Sequence, residues 1–201
     1  MKVCCAIGLC KQDFIWDYDK SSYTKEYRND MKIDLRDYIK NGFDYFICNG
    51  EIGVGMDFAQ AVLNAKRNNK NLKLEISVPY KNQELNWSDS EKKRYRHILK
   101  NADTVNILFE KYSLDCNQKN YEYMIDKSDL LYVVDSRFDE MQAIIEYAKL
   151  KNKKYRSACL RHIIIGYLEN YDNAAQPVET IYTGLKTEQI VYIYNSIKQD
   201  N

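Results

Sequence analysis

The sequence lacks an excess of charge of either sign, and it lacks a long apolar run. Its 30 Lys and Arg residues nearly balance its 29 Asp and Glu residues, so the formal net charge is +1. Proteins that bind nucleic acid or anionic lipid usually carry a basic excess, and the balance therefore argues against a nucleic-acid partner, although a local patch would escape this count. No apolar run approaches the ~20 residues of a membrane span, so no membrane partner is expected.

The sequence also lacks a Cys-x-x-Cys pair and has only two histidines, His97 and His162. Six cysteines are present, at positions 4, 5, 10, 48, 116 and 159. Without closely spaced Cys or His ligands, no metal site is expected, and no cofactor is predicted. The N-terminal apolar segment is too short and too lightly flanked for a secretory signal, so free core thiols and a cytoplasmic location are expected.

What is present is a regular alternation of short apolar segments and helical patterns. Five segments of strand length that are mainly apolar lie at 2–8, 43–49, 72–78, 104–109 and 130–135, and KYRSACL at 154–160 is expected to supply a sixth strand. Gly42 is expected to end the first helix, Pro79 the third strand, and Ser88 with Glu91 forms a capping box for the third helix. Near-continuous apolar strands that alternate with helices are typical of a covered parallel sheet. The sequence predicts an α/β, Rossmann-like three-layer sandwich with a mainly parallel sheet.

The alternation stops near Leu160, which predicts a domain at 1–160 and a C-terminal extension at 161–201. Tyrosines recur along the extension, at 167, 171, 182, 192 and 194. They either pack on the domain or form a subunit interface. No internal repeat and no low-complexity linker marks a second domain.

The best candidate ligand site is the glycine turn Asn49–Gly55, between the second strand and the second helix. Gly50, Gly53 and Gly55 permit positive φ angles and a close backbone approach, and the helix N-terminus beyond offers N–H groups to a phosphate or carboxylate. The turn is neither a Walker loop nor a Gly-x-Gly-x-x-Gly motif. Glu51 would repel a phosphate, so it is expected to bind a ribose hydroxyl or to indicate a changed ligand.

Other candidate ligand-binding residues follow later strands. Tyr80, Gln83 and Trp87 could stack on a base and hydrogen-bond to it, with Arg94 on the next helix; Trp87 is equally explained as a hydrophobic staple. Asp135 and Ser136 follow the fifth strand, where ligands bind in open parallel sheets. Ser136 is also explained as the N-cap of the next helix.

Four stretches of the sequence match the pattern of a known family. They are KVCCAIGLCK, FICNGEIGVGMDFAQAVL, the stretch from Val78 to Asp103, and CNQKNYEYMID through YAKLKN, which together cover about 1–159. These stretches resemble the YpsA-like branch of the SLOG superfamily. The resemblance implies a Rossmann-like domain related to the cytokinin-activating phosphoribohydrolases and to the DNA-processing protein DprA. It also implies binding or processing of nucleotides or nucleotide-derived signals, often by homo-oligomers and sometimes by prophage proteins, and it adds Gly8 and Asn120 to the candidate residues.

The sequence departs from that family where chemistry would be expected. Ile7–Cys10 replace a Thr-Gly-His-Arg motif, Gly55 replaces the Asp of the glycine turn, and Gln60 replaces a Glu. Asn120 and Tyr121 replace an Arg-Asn pair, and Asp139–Met141 replace a Gly-Gly-Thr loop. The scaffold is retained while most ionisable or phosphate-binding groups are lost.

Three functions remain open. The first is non-catalytic binding of a nucleotide or nucleotide-derived signal, for example as a phage-encoded sponge or sensor for a cyclic ADP-ribose-type messenger. The second is a nucleotide N-glycosidase or phosphoribohydrolase, which needs a carboxylate near the glycosidic carbon. Glu51 is the first candidate for this carboxylate, and Asp57 and Asp135 are the alternatives. The third is an interaction module with a vestigial pocket.

Overall fold

A computed structural model describes residues 1–14, 17–134 and 139–158 and confirms the predicted three-layer α/β sandwich. The strands are β1 (Lys2–Gly8), β2 (Phe43–Cys48), β3 (Lys73–Tyr80), β4 (Thr104–Phe109), β5 (Leu130–Val134) and β6 (Lys154–Ser157). The helices are α1 (Ser22–Lys40), α2 (Val54–Lys66), α3 (Asp89–Asn101), α4 (Cys116–Lys127) and α5 (Asp139–Leu150). The six strands pair in parallel in the order β4-β3-β2-β1-β5-β6.

The core has two parts, one on each face of the sheet. Side chains of α1, α2 and α3 form one buried cluster, and side chains of α4 and α5 form the other. Cys4 belongs to the first cluster and Cys5 to the second, because successive side chains of a strand point to opposite faces. Both thiols are fully buried, and burial raises the pKa of Cys5 to about 12. These cysteines are therefore core residues.

Helix boundaries follow the predicted signals closely. Gly42 lies just past α1 with a φ of +85°, the left-handed conformation of a C-terminal glycine. At the start of α3, the Ser88 hydroxyl accepts a hydrogen bond from the Glu91 N–H, and the Glu91 carboxylate accepts one from the Ser88 N–H. The predicted capping box is confirmed.

The prediction that Pro79 ends the third strand is wrong. β3 continues to Tyr80, which pairs with Phe109, and the Lys81 N–H donates to the Phe109 carbonyl at 2.9 Å. The pairing of β2 with β3 already ends at Ile76. Proline fixes φ at a value that an extended strand tolerates and removes one donor, so β3 can continue beside its one remaining neighbour.

No helix in the described part of the chain has the length and apolarity needed to cross a membrane. Within the same residues, His, Cys, Asp and Glu side chains form no group of three that could hold a metal ion.

Candidate ligand-binding site

The topological switch point of the sheet lies between β1 and β5, because β2, β3 and β4 lie on one side of β1, while β5 and β6 lie on the other. Ligands of open parallel sheets bind beyond the carboxyl ends of the strands at such a point. Gly8 ends β1 there, and a Cβ added to it would lie 2.6 Å from the Val134 carbonyl oxygen of β5. Its role is close packing of the two strands. Asp135 and Ser136 follow β5 but lie outside the described residues.

The glycine turn after β2 is covered by the segment that follows β1. The Lys11 N–H donates to the Ile52 carbonyl at 2.9 Å, and the Val54 N–H donates to the Leu9 carbonyl at 3.0 Å. Gly53 has a φ of +117°, and a Cβ there would lie 2.4 Å from the Leu9 carbonyl oxygen. Glycine at this position is therefore required by the close approach of another part of the chain.

This contact changes the expectation that the N-terminus of α2 binds a phosphate. The Val54 N–H is used by Leu9, and the Met56 N–H donates to the Glu51 carbonyl at 2.8 Å. Donors at a helix N-terminus that already have backbone partners are not available to an anion. The phosphate-binding expectation is therefore corrected for these two donors, because Leu9 from another segment accepts from the first and Glu51 within the turn accepts from the second.

Asn49 and Glu51 form the outer part of the turn. The Asn49 side chain accepts a hydrogen bond from the Glu51 N–H at 3.1 Å and donates one to the Glu51 carboxylate at 3.2 Å. Gln83 donates to the Asn49 carbonyl at 3.3 Å and to the Tyr95 hydroxyl at 2.8 Å. Gln83 thus joins the turn to α3, while the Glu51 side chain remains half-buried.

Two aromatic residues that were candidates for the site have different surroundings. The Tyr80 ring meets Tyr112 edge-on, with centroids 5.2 Å apart, and burial together with the nearby Glu51 carboxylate raises the Tyr80 pKa. Trp87 packs edge-on against Tyr95 at 5.1 Å and joins the core on that face. Tyr80 therefore stands at the candidate site, whereas Trp87 packs against α3 as part of the fold.

Asp57 holds together the elements around the turn. Its carboxylate contacts the Arg94 guanidinium at 2.6 Å and the Arg28 guanidinium at 3.0 Å, and it accepts a hydrogen bond from the Tyr18 hydroxyl at 2.8 Å. The Asp57 side chain is 1% exposed. Burial and the Asp57 charge raise the pKa of Tyr18 to about 12, so its hydroxyl stays protonated as a donor near neutral pH. Arg94, a predicted ligand-binding residue, thus has a buried partner.

Arg28 and Tyr18 were missed by the sequence reasoning. The available signal was Asp57 itself, an acidic residue in the first turn of a helix whose neighbouring residues are buried. Buried carboxylates need partners, so cations on adjacent helices could have been sought.

Two further candidate residues, Asn120 and Gly55, make close contacts within the fold. The Asn120 side chain is fully buried and donates to the Ser77 carbonyl at 2.8 Å, so it joins α4 to β3. A Cβ added to Gly55 would lie 2.2 Å from the Asn49 side-chain oxygen. The space that a larger residue at position 55 would need is thus filled by Asn49.

Comparisons with known proteins identify the family to which the sequence is similar. The YpsA model, described as the YspA SLOG family, matches residues 15–166. UPF0398 protein YpsA of Bacillus subtilis (strain 168) is 29% identical over 131 residues, which cover 64% of this chain and 68% of that protein. UPF0398 protein BH1768 of Halalkalibacterium halodurans is 31% identical over 99 residues, which cover 48% of this chain and 52% of that protein. The match thus spans about half the length of this relative.

One solved structure supports the fold. DNA processing protein A from Helicobacter pylori superposes with a TM-score of 0.53 at 14% identity, over 99% of this chain and 81% of that one. The structure was described for its single-stranded DNA binding mode. At this identity the likeness concerns the fold.

Proposed function

The chain belongs to the YspA SLOG family, and on this premise we propose that it binds a nucleotide or a nucleotide-derived signal without converting it. The observation that carries the proposal is that the half-buried Glu51 follows β2 and Tyr80 ends the neighbouring strand β3, so both lie at the carboxyl ends of paired strands, where the Glu51 charge helps to raise the Tyr80 pKa. A carboxylate accepts hydrogen bonds from ribose hydroxyls, and an aromatic ring stacks on a base. The ligand would therefore place its ribose, rather than a phosphate, against the turn.

The other residues of the turn fit a binding role. Asn49 holds Glu51 through two hydrogen bonds, and Gln83 holds the Asn49 backbone. Such support fixes a ligand-binding side chain before the ligand arrives. Asp57, another acid of this region, is buried and already contacts two arginines and the Tyr18 hydroxyl, so its carboxylate is occupied within the fold.

A cyclic ADP-ribose-type messenger belongs to the proposed ligand class, and a protein that holds such a messenger without cleaving it would act as a sponge or a sensor. We also propose that the protein acts as a homo-oligomer, as the family resemblance implies. Small-molecule binding does not require either property, so each needs its own measurement.

The test is isothermal titration of the full chain with AMP, ADP-ribose, NAD and cyclic ADP-ribose isomers. At least one compound should bind, and Glu51→Gln should weaken its binding by about tenfold or more, since a hydrogen bond to a charged group contributes roughly 1.5–3 kcal/mol. Glu146→Gln is the matched control, because Glu146 is exposed on α5 and its replacement removes the same charge. Absence of heat with every compound would refute the proposal.

A nucleotide N-glycosidase is the second candidate, because Glu51 is a half-buried carboxylate at the turn. The same compounds are incubated with the protein and assayed for release of the free base. Release that disappears in Glu51→Gln but persists in Glu146→Gln would establish catalysis and overturn the binding-only proposal.

A further inference from the structure

The balanced net charge hides two basic segments without a single acidic residue. Residues 64–73 contain Lys66, Arg67, Lys70 and Lys73, and residues 92–102 contain five Lys and Arg residues together with His97. About twenty residues separate the two segments in the sequence. Nothing in the sequence alone shows whether they meet.

The fold brings these segments together on one surface. α2 and α3 are neighbours on the same face of the sheet, and a groove of about 270 Å³ between them is lined by Lys66, Arg67, Lys70 and His97 with Gln60, Leu63 and Asn101. We define the α2–α3 basic face by seven side chains. Lys66, Arg67 and Lys70 line the groove, Lys73 shares Asp103 with Lys66, and Lys93, Arg96 and Lys100 lie within about one turn of His97 on α3. All of these side chains except that of Lys66 are exposed to solvent.

The local negative charge is too small to neutralise this face. Asp103 is bound by both Lys66 and Lys73. The C-termini of α2 and α3 add about half a negative charge each. Asp89 lies one helical turn before Lys93 and adds a third negative charge. Seven cationic side chains thus face roughly three negative charges, which leaves a surplus of about four. Favourable interactions with the helix C-termini explain the presence of one or two of these lysines but not of all seven cations.

We propose that the α2–α3 basic face binds the phosphate backbone of duplex nucleic acid without reading its sequence. A surplus of exposed Lys and Arg over a shallow groove is the electrostatic footprint of phosphate contacts. No Phe, Tyr or Trp lines the groove, whereas proteins that hold single strands stack the bases on aromatic rings. Most of the face lies at the C-terminal ends of α2 and α3, whereas Glu51 lies near the N-terminus of α2, so the face is separate from the proposed small-molecule site.

The experiment is fluorescence anisotropy of a labelled 20-bp DNA duplex titrated with the full chain at several KCl concentrations. Four neutralised phosphates predict a slope of log affinity against log salt of about −3.6. Arg67→Glu with Lys70→Glu should weaken binding at low salt by about tenfold or more and reduce the slope by about two. Arg67→Gln with Lys70→Gln should do the same to a smaller degree, and urea unfolding checks that each variant is folded.

The matched control is Lys25→Glu with Lys32→Glu, which makes the same change in net charge at exposed positions of α1. Equal loss of affinity in the control would overturn the proposal, because it would show a response to total charge rather than to this face. Absence of saturable duplex binding at low salt would also overturn it, as would binding to phosphatidylserine vesicles but not to the duplex. None of these outcomes depends on whether a nucleotide binds near Glu51.

Discussion

One carboxylate, that of Asp57, joins α1, α2 and α3 at the ends nearest the candidate site. Replacing it with alanine would leave the Arg28 and Arg94 guanidinium groups and the Tyr18 hydroxyl without their common acceptor. Breaking a buried pair on one side costs about 3–5 kcal/mol. Because Arg28 and Arg94 are 35% and 30% exposed, water compensates in part. We expect Asp57→Ala to lower the free energy of unfolding by about 3 kcal/mol in urea denaturation.

Asp37→Ala is the control at the same scale. Asp37 is half-exposed, and its carboxylate lies 3.9 Å from the Lys40 ammonium. Exposed pairs of this kind contribute about 0–1 kcal/mol. If both variants lost similar stability, the Asp57 cluster would not be the tie between the helices that its geometry indicates.

At the scale of elements, the contact between the segment after β1 and the start of α2 makes a clear prediction for Gly53. Gly53→Ala combines a positive φ with a Cβ 2.4 Å from the Leu9 carbonyl oxygen, so the Leu9–Lys11 backbone has to move. Gly42→Ala shares the positive φ, but the nearest atom to its Cβ is 4.0 Å away. Conformational strain alone costs about 1–2 kcal/mol.

We therefore expect Gly42→Ala to lose about 1–2 kcal/mol in urea denaturation and Gly53→Ala to lose clearly more. Gly53→Ala should also speed amide hydrogen exchange at Lys11 and Val54, whose N–H groups bond across this contact. Equal losses, with unchanged exchange at Val54, would show that the segment after β1 adapts freely.

The elements themselves could be predicted from the sequence, because each depends on local patterns: apolar strand segments, the Ser88 capping box and Gly42. The end of β3 was predicted wrongly from Pro79, because the effect of a proline depends on which strands still pair with β3 at that point. The closure of the α2 N-terminus could not be predicted either, since the carbonyl that closes it belongs to Leu9, more than forty residues earlier. The basic segments were visible in the sequence, but their meeting in one groove requires the positions of α2 and α3.

At the scale of the whole molecule, the average charge is a poor guide to partners. A net charge of +1 argued against nucleic acid. The fold, however, concentrates cations at the C-termini of α2 and α3 and leaves carboxylates such as Glu51 and Asp57 nearer the carboxyl ends of the strands. The two edges of one sheet therefore differ in the chemistry they offer.

The same scale gives a prediction for the extension at 161–201. Both core clusters, as far as the structure describes them, are built from buried residues at positions 3–148. A chain that ends after Leu160 should therefore unfold in a single cooperative urea transition, with a far-ultraviolet circular dichroism spectrum of an α/β protein.

Light scattering of the truncated chain then distinguishes two roles for the extension. A smaller assembly in the truncated chain would place a subunit interface in residues 161–201, whereas an unchanged mass would exclude assembly through them. Loss of the cooperative transition would contradict the domain boundary, because the core of 1–160 would then depend on the extension.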